Sequence, residues 1–312
     1  MSGNSPAPTH DAPARLVVGC GYLGMRVAAR WLAAGDRVLG VTRRPARAEE
    51  LAALGIEPVV ADVAAADPWA EALPPLATVF WAVGFDRASA ATHRDVHVSG
   101  LARLLDGLAV AARASGTAPP RVILSSSTGV WGDEAGGVVD ESTPLRPARD
   151  SGRALAEAEA VLRPHPLGPG TALRFAGLYG PGRLPRLDDL RAGRPLAADP
   201  DSWLNLVHID DAARVVCAVA AAPTPRPLYV VSDGTPVRRR DWYGRLAELV
   251  GAPPPTWDPA APRERGADKR VNPALLFDDL GFTPTHPVAL TALANLLDRD
   301  APEGVARAVE PA

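Results

Sequence analysis

The chain has 312 residues, of which 47% are hydrophobic and 22% are charged, the mix of an ordinary globular protein. This composition excludes a disordered or collagen-like chain, although 33 prolines are present. The formal net charge of −3 excludes a global basic field that would attract nucleic acid or an anionic membrane. Of the 33 basic residues only Lys269 is a lysine, so chemistry that needs a primary amine has one side-chain candidate.

The two cysteines, Cys20 and Cys217, are too few for a disulfide framework, and no Cys-x-x-Cys pair suggests a zinc site. Residues 1–14 are polar and proline-rich, without the basic and then apolar order of a signal peptide. The apolar runs fall far short of the roughly 18 residues that would span a bilayer. We therefore expect a cytoplasmic protein without a metal site, bound neither to a membrane nor to nucleic acid.

After a disordered tail over residues 1–14, the first half of the chain alternates short apolar runs with helical patterns. The predicted strands are 15–18, 37–41, 57–60, 78–83, 121–124 and 171–175, and the predicted helices are 25–34, 46–54, 69–73, 93–114 and 151–162. The strands are continuous apolar runs, which is typical of a parallel sheet covered on both faces. The pattern predicts an α/β fold with a doubly wound parallel sheet of the Rossmann type.

Beyond residue 175 the alternation loosens, although 210–222 and 239–250 have helical patterns and 228–231 has the pattern of a strand. We interpret this half as a smaller, irregular lobe that would contact the substrate. The predicted organisation is a nucleotide-binding domain over 15–175, a region over 176–300 that is mainly substrate lobe, with 205–231 returning to the nucleotide-binding domain, and a tail over 301–312.

A Gly-x-Gly-x-x-Gly pattern lies between the first predicted strand and the first predicted helix, formed by Gly19, Gly21 and Gly24. The first glycine suits a tight turn, the second lets a pyrophosphate approach the backbone, and the third lets helix and strand pack closely. Tyr22 and Leu23 complete the turn at the helix N-terminus, whose N–H groups suit phosphates. This position predicts binding of a dinucleotide, NAD or NADP.

The end of the second predicted strand distinguishes the two dinucleotides. NAD sites carry an acid there for the ribose 2′-hydroxyl, but this chain has Arg43 and Arg44 and no acid before Glu49. Arg43 suits a 2′-phosphate, which favours NADP over NAD, whereas the alternative is two solvated surface arginines. Asp62, after the third strand, would contact the adenine amino group or simply cap the next turn.

Residues at neighbouring strand ends complete the predicted dinucleotide site. These predicted contacts are Val63, Ala82, Val83, Gly84 and Ser125. They lie at the ends of predicted strands of one parallel sheet or directly after them, and the carboxyl ends of such strands form the usual ligand crevice.

Several segments, in this order along the chain, resemble the extended short-chain dehydrogenases/reductases, the NAD-dependent epimerase/dehydratase family. They are 19–24, 61–63, 125–133 (SSSTGVWGD), 173–182 (LRFAGLYGPG) and 205–211 (NLVHIDD). Together with Asp150-Ser151-Gly152-Arg153, they look most like the atypical YeeZ-type subgroup. The resemblance runs from about residue 15 to about residue 282 and implies a Rossmann fold and a nicotinamide cofactor.

The family resemblance implies a serine at the end of the fifth strand and a Tyr-x-x-x-Lys pair on the next helix. Ser127 matches the serine, but Arg149 and Arg153 occupy the positions of the tyrosine and the lysine. Arg153 would hold the nicotinamide ribose and stabilise negative charge, whereas Arg149 has too high a pKa for acid–base chemistry. Thr128-Gly129 replace the Asp-Glu pair of dehydratases, and Trp131 replaces a tyrosine, so dehydration is not expected.

Other side chains would have to carry the proton. His97, on the predicted long helix, is a candidate, with a buried core histidine as the alternative. His208 precedes a predicted helix and is expected to cap it. Arg174, Arg183 and Arg270 would line an anion-binding rim or lie on a solvated, arginine-rich surface.

These observations predict an NAD(P)-dependent oxidoreductase, or a nucleoside-diphosphate-sugar epimerase-like protein, acting on a small polar substrate such as a nucleotide sugar. Ser127, Arg149, Arg153 and His97 are its candidate catalytic residues. The alternative is a non-catalytic NADP(H)-binding sensor or assembly factor that kept the nucleotide site and lost the proton carrier. We expect a monomer or a homodimer.

Overall fold

The computed structural model describes residues 14–168, 170–258 and 268–300, with side chains described as far as residue 296. The predicted tails, residues 1–13 and 301–312, lie outside the described residues, and Ala14 already belongs to the first strand. Among the helices of the described part, none is long and apolar enough to cross a membrane.

The strands and helices follow in chain order. The strands are β1 (Ala14–Val18), β2 (Val38–Thr42), β3 (Glu57–Val60), β4 (Leu76–Trp81), β5 (Arg121–Ser127), β6 (Val138–Val139), β7 (Thr171–Phe175), β8 (Gly177–Tyr179), β9 (Trp203–Leu204), β10 (Leu206–His208), β11 (Leu228–Val231), β12 (Val237–Arg238) and β13 (Arg270–Val271). The α-helices are α1 (Gly24–Ala33), α2 (Pro45–Ala53), α3 (Gly100–Ser115), α4 (Asp150–Leu162), α5 (Leu187–Arg191), α6 (Ile209–Ala221), α7 (Arg239–Leu249), α8 (Ala274–Leu280) and α9 (Ala289–Asp300).

Seven strands form one parallel sheet in the order β11-β7-β5-β4-β1-β2-β3, which confirms the predicted doubly wound α/β fold. Alternate residues of each strand face opposite sides of the sheet, so Val17 packs with the α1 and α6 side and Leu16 with the α3 side. From β1 the chain runs through β2 to β3 on one side and then crosses to β4 on the other side of β1. The carboxyl ends of β1 and β4 therefore flank the crevice in which such sheets bind ligands.

The C-terminal lobe has its own apolar cluster, which α7 and α9 form with Tyr179 and Leu206. Three two-stranded pairings tie this half together: β8 with β10, β9 with β12, and β6 with β13. The sequence did not predict these pairs because strands of two or three residues have no readable periodicity. By contrast, β11 joins the central sheet at its edge.

Most predicted elements agree with the structure to within two residues, and two larger differences lie near the carboxyl edge of the sheet. The expected helix over 93–114 begins with a π-helical turn over Asp95–Ser99 and continues as α3. The fifth strand extends through the three serines to Ser127, because Ser125 to Ser127 pair in register with β7. The serines therefore lie on the sheet itself, at its carboxyl edge.

A buried ion pair joins α4 to the sheet. Arg174 on β7 contacts Glu159 on α4 at 2.6 Å, and both side chains are at most 4% exposed. Ser126 on β5 donates to the same carboxylate at 2.6 Å. Both interpretations of Arg174 as a rim or surface residue are therefore wrong, because its guanidinium neutralises a carboxylate inside the core.

Replacing Glu159 tests this ion pair. We expect Glu159→Gln to lower the free energy of unfolding by roughly 3 kcal/mol, because it leaves the Arg174 charge buried without a counter-ion. Glu157→Gln on the same helix is the control, since Glu157 is about half exposed and pairs with Arg94 at the surface. That control should lose under about 1 kcal/mol. Urea denaturation measures both, and equal losses would contradict the assignment.

A second buried carboxylate fixes the segment that follows α8. Asp211 on α6 is 1% exposed and accepts hydrogen bonds from the backbone N–H groups of Thr285 and His286, at 2.9 and 2.8 Å. Burial alone would raise its pKa, but hydrogen bonds from Thr285, His286 and Arg214 outweigh burial and lower the pKa to about 2.

The lowered pKa of Asp211 predicts a pH-dependent contribution to stability. The stabilisation is fully present above the ordinary pKa of 3.8 and is lost as the pH falls through about 2. Asp211→Asn should therefore cost about 2 kcal/mol at pH 7, and the difference from the wild type should shrink between pH 4 and pH 2. Urea denaturation across this range measures it, and a difference independent of pH would contradict the prediction.

Candidate functional site

Two clefts open at the carboxyl edge of the central sheet. The first, which we call the glycine-turn cleft, is formed by the loops after β1, β2, β3 and β4 and has a volume of about 250 Å³. The second, the serine cleft, lies at the ends of β5 and β7 beneath the C-terminal lobe and measures about 480 Å³. Because β4 and β5 are neighbours in the sheet, the two clefts lie at adjacent strand ends.

The glycine turn has the geometry that the sequence predicted. Gly19 has a φ of +98°, and a Cβ there would lie 2.7 Å from the backbone of Ala82, so the turn packs directly against the end of β4. A Cβ on Gly24 would collide with the carbonyl oxygen of Gly19, which explains the third glycine. Around Gly21 there is no protein atom within 4 Å of such a Cβ, so the backbone there is open to a ligand.

The residues that line the glycine-turn cleft include most of the predicted dinucleotide contacts: Gly19, Gly21, Arg43, Asp62, Val63, Ala82, Val83 and Gly84. Asp62 accepts a hydrogen bond from the backbone of Ala64 at 2.9 Å, so it caps a turn and lines the cleft at once. Tyr22 and Leu23 do not line the cleft with their side chains. Leu23 is 6% exposed in the core, and the Tyr22 hydroxyl donates to the Pro181 carbonyl at 3.1 Å.

Arginines dominate one end of the glycine-turn cleft. Arg43, Arg44 and Arg47 all line it, and Arg43 forms an ion pair with Asp86 at 2.8 Å. Asp86 follows β4, and its pKa is lowered by a hydrogen bond from Ala88 and by Arg43. The end of β2 therefore carries positive charge and no acid, while Asp86 holds Arg43 at the rim.

The serine cleft is lined by small polar residues and by cations. Its charged members are Arg149, Arg183, Arg239 and Lys269, and no aspartate or glutamate is among the described residues that line it. Four positive side chains around one cavity make it attractive to an anion.

Ser125 and Ser127 both line the serine cleft rather than the glycine-turn cleft. The Ser127 hydroxyl accepts a hydrogen bond from the backbone of Gly129 at 3.1 Å, which fixes its oxygen at the strand end. Arg149 precedes α4 and lines the same cleft. Arg153 does not line either cleft in the described part of the chain, and its guanidinium pairs with Asp150 at 2.5 Å.

His97 is buried beneath the clefts and lines neither of them. It is 7% exposed, it stacks on His93 at 5.9 Å between ring centroids, and its Nδ1 has no hydrogen-bond partner among the described residues. Burial, and then the proximity of His93, lower its pKa to about 4, so its ring is neutral at pH 7. This burial fits the alternative of a core histidine.

The remaining polar candidates have structural contacts. His208 accepts a hydrogen bond from the backbone of Asp210 at 3.2 Å, which confirms the predicted helix cap. Arg183 lines the serine cleft and lies 5.4 Å from the Tyr22 ring. Arg270 donates to the Gly136 carbonyl at 2.9 Å and is outside both clefts, on the exposed surface.

Lys269 is the site residue that sequence reasoning did not place. Its amine lies 3.2 Å from the Gly132 carbonyl oxygen and 3.4 Å from that of Trp131, so the C-terminal lobe closes over the loop after β5. It is 4% exposed and lines the serine cleft. The only available signal was its being the single lysine, since 137 residues separate it from Gly132 in the sequence.

Comparison with known proteins agrees with this geometry. The model of the NAD dependent epimerase/dehydratase family matches residues 15–231. Protein YeeZ of Escherichia coli K12 is 37% identical over 54% of the chain, a match that covers 59% of YeeZ. A 3-diazoavenalumate denitrifying reductase from a Streptomyces species is 31% identical over 87% of the chain and 96% of its own length.

Among solved structures, a conserved protein of unknown function from Silicibacter pomeroyi superposes with a TM-score of 0.77. It is 29% identical, and the match covers 92% of this chain and 99% of that protein. The similarity therefore extends over both the nucleotide-binding domain and the C-terminal lobe.

Proposed function

The chain belongs to the NAD dependent epimerase/dehydratase family, and from that premise we propose that it is an NADP(H)-dependent oxidoreductase, of reductase or epimerase type, acting on a small anionic molecule. The observation that carries the proposal is the serine cleft, which Ser127 lines together with four cations and, among the described residues, no carboxylate. A nucleotide sugar has the matching charge. The Streptomyces relative, which matches 87% of the chain, is named a reductase, and this favours reduction as the reaction.

The glycine-turn cleft fits a dinucleotide. The space around Gly21 would admit a pyrophosphate, and α1 begins there with the N–H groups that phosphates prefer. Arg43 would bind the 2′-phosphate of NADP with a charge-assisted contact after release from Asp86. When bound, the cofactor supplies or accepts a hydride, and the protein supplies position and charge.

In the serine cleft the chain's own residues bind and orient the substrate. The Ser127 hydroxyl would donate to the reacting oxygen, since its own acceptor role toward Gly129 leaves its proton available. Arg149, Arg183 and Arg239 would hold the anionic group. Arg153, paired with Asp150 at the surface, would reach a nicotinamide ribose only by leaving that pair.

A second candidate function, a non-catalytic NADP(H)-binding sensor or assembly factor, draws on one observation. Helix α4 has neither a tyrosine nor a lysine, so the family's usual proton carrier is missing. A sensor would need the glycine-turn cleft alone. Measuring whether the protein turns over a substrate distinguishes the oxidoreductase from the sensor or assembly factor.

Cofactor choice is the first prediction of this proposal. Titration by fluorescence should show tighter binding of NADPH than of NADH. Arg43→Asp should weaken NADPH binding at least about tenfold, because it removes a charge-assisted contact, and should change NADH binding little. Asp86→Asn should tighten NADPH binding, because Arg43 no longer has a competing carboxylate. Equal affinities for both dinucleotides in the wild type and in Arg43→Asp would contradict the NADP assignment.

Turnover is the second prediction. A panel of carbonyl compounds, nucleotide sugars and a diazo compound, followed by NADPH oxidation, should contain at least one substrate. Ser127→Ala should lower kcat/KM for that substrate roughly 100-fold without changing NADPH affinity, because its hydroxyl would donate to the reacting oxygen and lies outside the glycine-turn cleft. Ser115→Ala, which removes a hydroxyl bonded to its own helix, is the control. No turnover across the panel while NADPH is bound would favour the sensor.

A further inference from the structure

The backbone of Lys269 is held in place from both sides. The Asn205 side chain donates to the Lys269 carbonyl at 2.8 Å and accepts from the Val271 N–H at 2.8 Å. On the preceding residue, the Asp268 carboxylate accepts from the Trp203 backbone at 2.8 Å. The amine of Lys269 therefore enters the serine cleft from a residue fixed directly before β13, rather than from a loose surface chain.

The amine is buried, and its partners are carbonyl oxygens rather than an ion-paired carboxylate among the described residues. Its two recorded hydrogen bonds go to the Trp131 and Gly132 carbonyls, and no ion pair joins it to a carboxylate in the described part of the chain. An ammonium group has three donors, so one remains for a ligand in the cleft. Burying an ammonium group costs free energy even when carbonyl oxygens accept its hydrogen bonds, so the fold holds this charged donor in the cleft at a cost to stability.

The other residues that line the serine cleft cannot move a proton near neutral pH. Among the described lining residues there is no tyrosine, histidine, cysteine, aspartate or glutamate. Arg149, Arg183 and Arg239 cannot serve, because a guanidinium group donates hydrogen bonds but does not release its proton in proteins. Serine and threonine hydroxyls donate hydrogen bonds but do not ionise in this range. Lys269 is thus the one titratable group of the cleft that can both hold and release a proton.

We propose that Lys269 is the catalytic proton donor of the serine cleft, in place of the missing tyrosine on α4; this role rests on the oxidoreductase function proposed above. In reduction of a carbonyl, the carbonyl carbon gains the hydride of NADPH, and the C=O π pair moves to the oxygen. That oxygen takes the proton from the Lys269 ammonium and becomes a hydroxyl. NADPH is oxidised to NADP⁺, the substrate is reduced to an alcohol, and the neutral amine regains a proton from water.

The electrostatic surroundings suit this role. Burial lowers the pKa of Lys269 to about 8 from an ordinary 10.5. Asp133 and Glu134, on the loop after β5, raise it, while Arg239 on α7 and Arg149 before α4 lower it further. At pH 7 most molecules carry the ammonium form, yet the proton is held weakly enough to transfer.

Two replacements separate proton transfer from charge. Lys269→Met removes charge and proton, whereas Lys269→Arg keeps the charge and the donors but cannot release a proton. With any substrate from the panel, both variants should lose at least about 100-fold in kcat/KM while binding NADPH like the wild type. The wild-type rate of reduction should fall above pH 8, and this fall should be absent in Lys269→Arg. Thermal melting checks the folding of each variant.

The single lysine permits a measurement without substrate. Protein labelled with ¹³C-lysine gives one side-chain signal, which Lys269→Met removes. Arg245→Lys adds an exposed reference lysine next to Glu248, and turnover should be unchanged in that variant. We expect the Lys269 signal to titrate near pH 8 and the reference about two pH units higher.

The outcomes are distinct. If Lys269→Met keeps wild-type turnover, if Lys269→Arg restores it, or if Lys269 titrates together with the reference, the role of Lys269 is overturned and the proposed function stands. If the wild type turns over no compound while NADPH binds, the proposed function falls and the role of Lys269 falls with it. Loss in both variants with a lysine that titrates near pH 8 supports the proposal.

Discussion

The buried ion pair between Glu159 and Arg174 holds together α4 and the strands whose ends line the serine cleft. It ties α4 to β7, and Ser126 ties the same carboxylate to β5. The Arg174 guanidinium also lies 4.8 Å from the centre of the Trp131 ring, whose carbonyl oxygen faces the amine of Lys269. The contacts thus run from one desolvated charge pair to the side chains of the cleft. Such a pair tolerates little displacement, because its attraction must offset the loss of hydration of both groups.

The sequence predicted those parts of the molecule that depend on neighbouring residues. The glycine turn was predicted because its three glycines and its place between strand and helix are local, and the parallel sheet because its strands are continuous apolar runs. The sequence did not predict the environments of Arg174 and Lys269. Glu159 approaches Arg174, and Gly132 approaches Lys269, only through the tertiary fold. The burial of Arg174 could not be predicted from its residue type either, because arginine is usually exposed.

The two clefts differ in the signs of the charges that their lining residues carry. In the glycine-turn cleft the lining residues carry both signs, since Asp62 and Asp86 line it together with arginines, and a ligand must displace existing contacts such as that between Arg43 and Asp86. In the serine cleft, the described lining residues carry positive charge alone, although the chain has a net charge of −3. A ligand there gains attraction without breaking an ion pair that the lining residues form with one another. Electrostatics therefore favours an anion in the serine cleft more strongly than in its neighbour.

The burial of the Lys269 amine bears on whether the protein is an enzyme. A sensor that reads only the dinucleotide does not require a desolvated amine in the neighbouring cleft, and burying that amine costs free energy. A catalytic site does gain, since strained or unpaired charged groups become useful when a substrate reaches them. The buried amine of Lys269, more than the fold, is thus the physical reason to favour catalysis over a purely nucleotide-binding role.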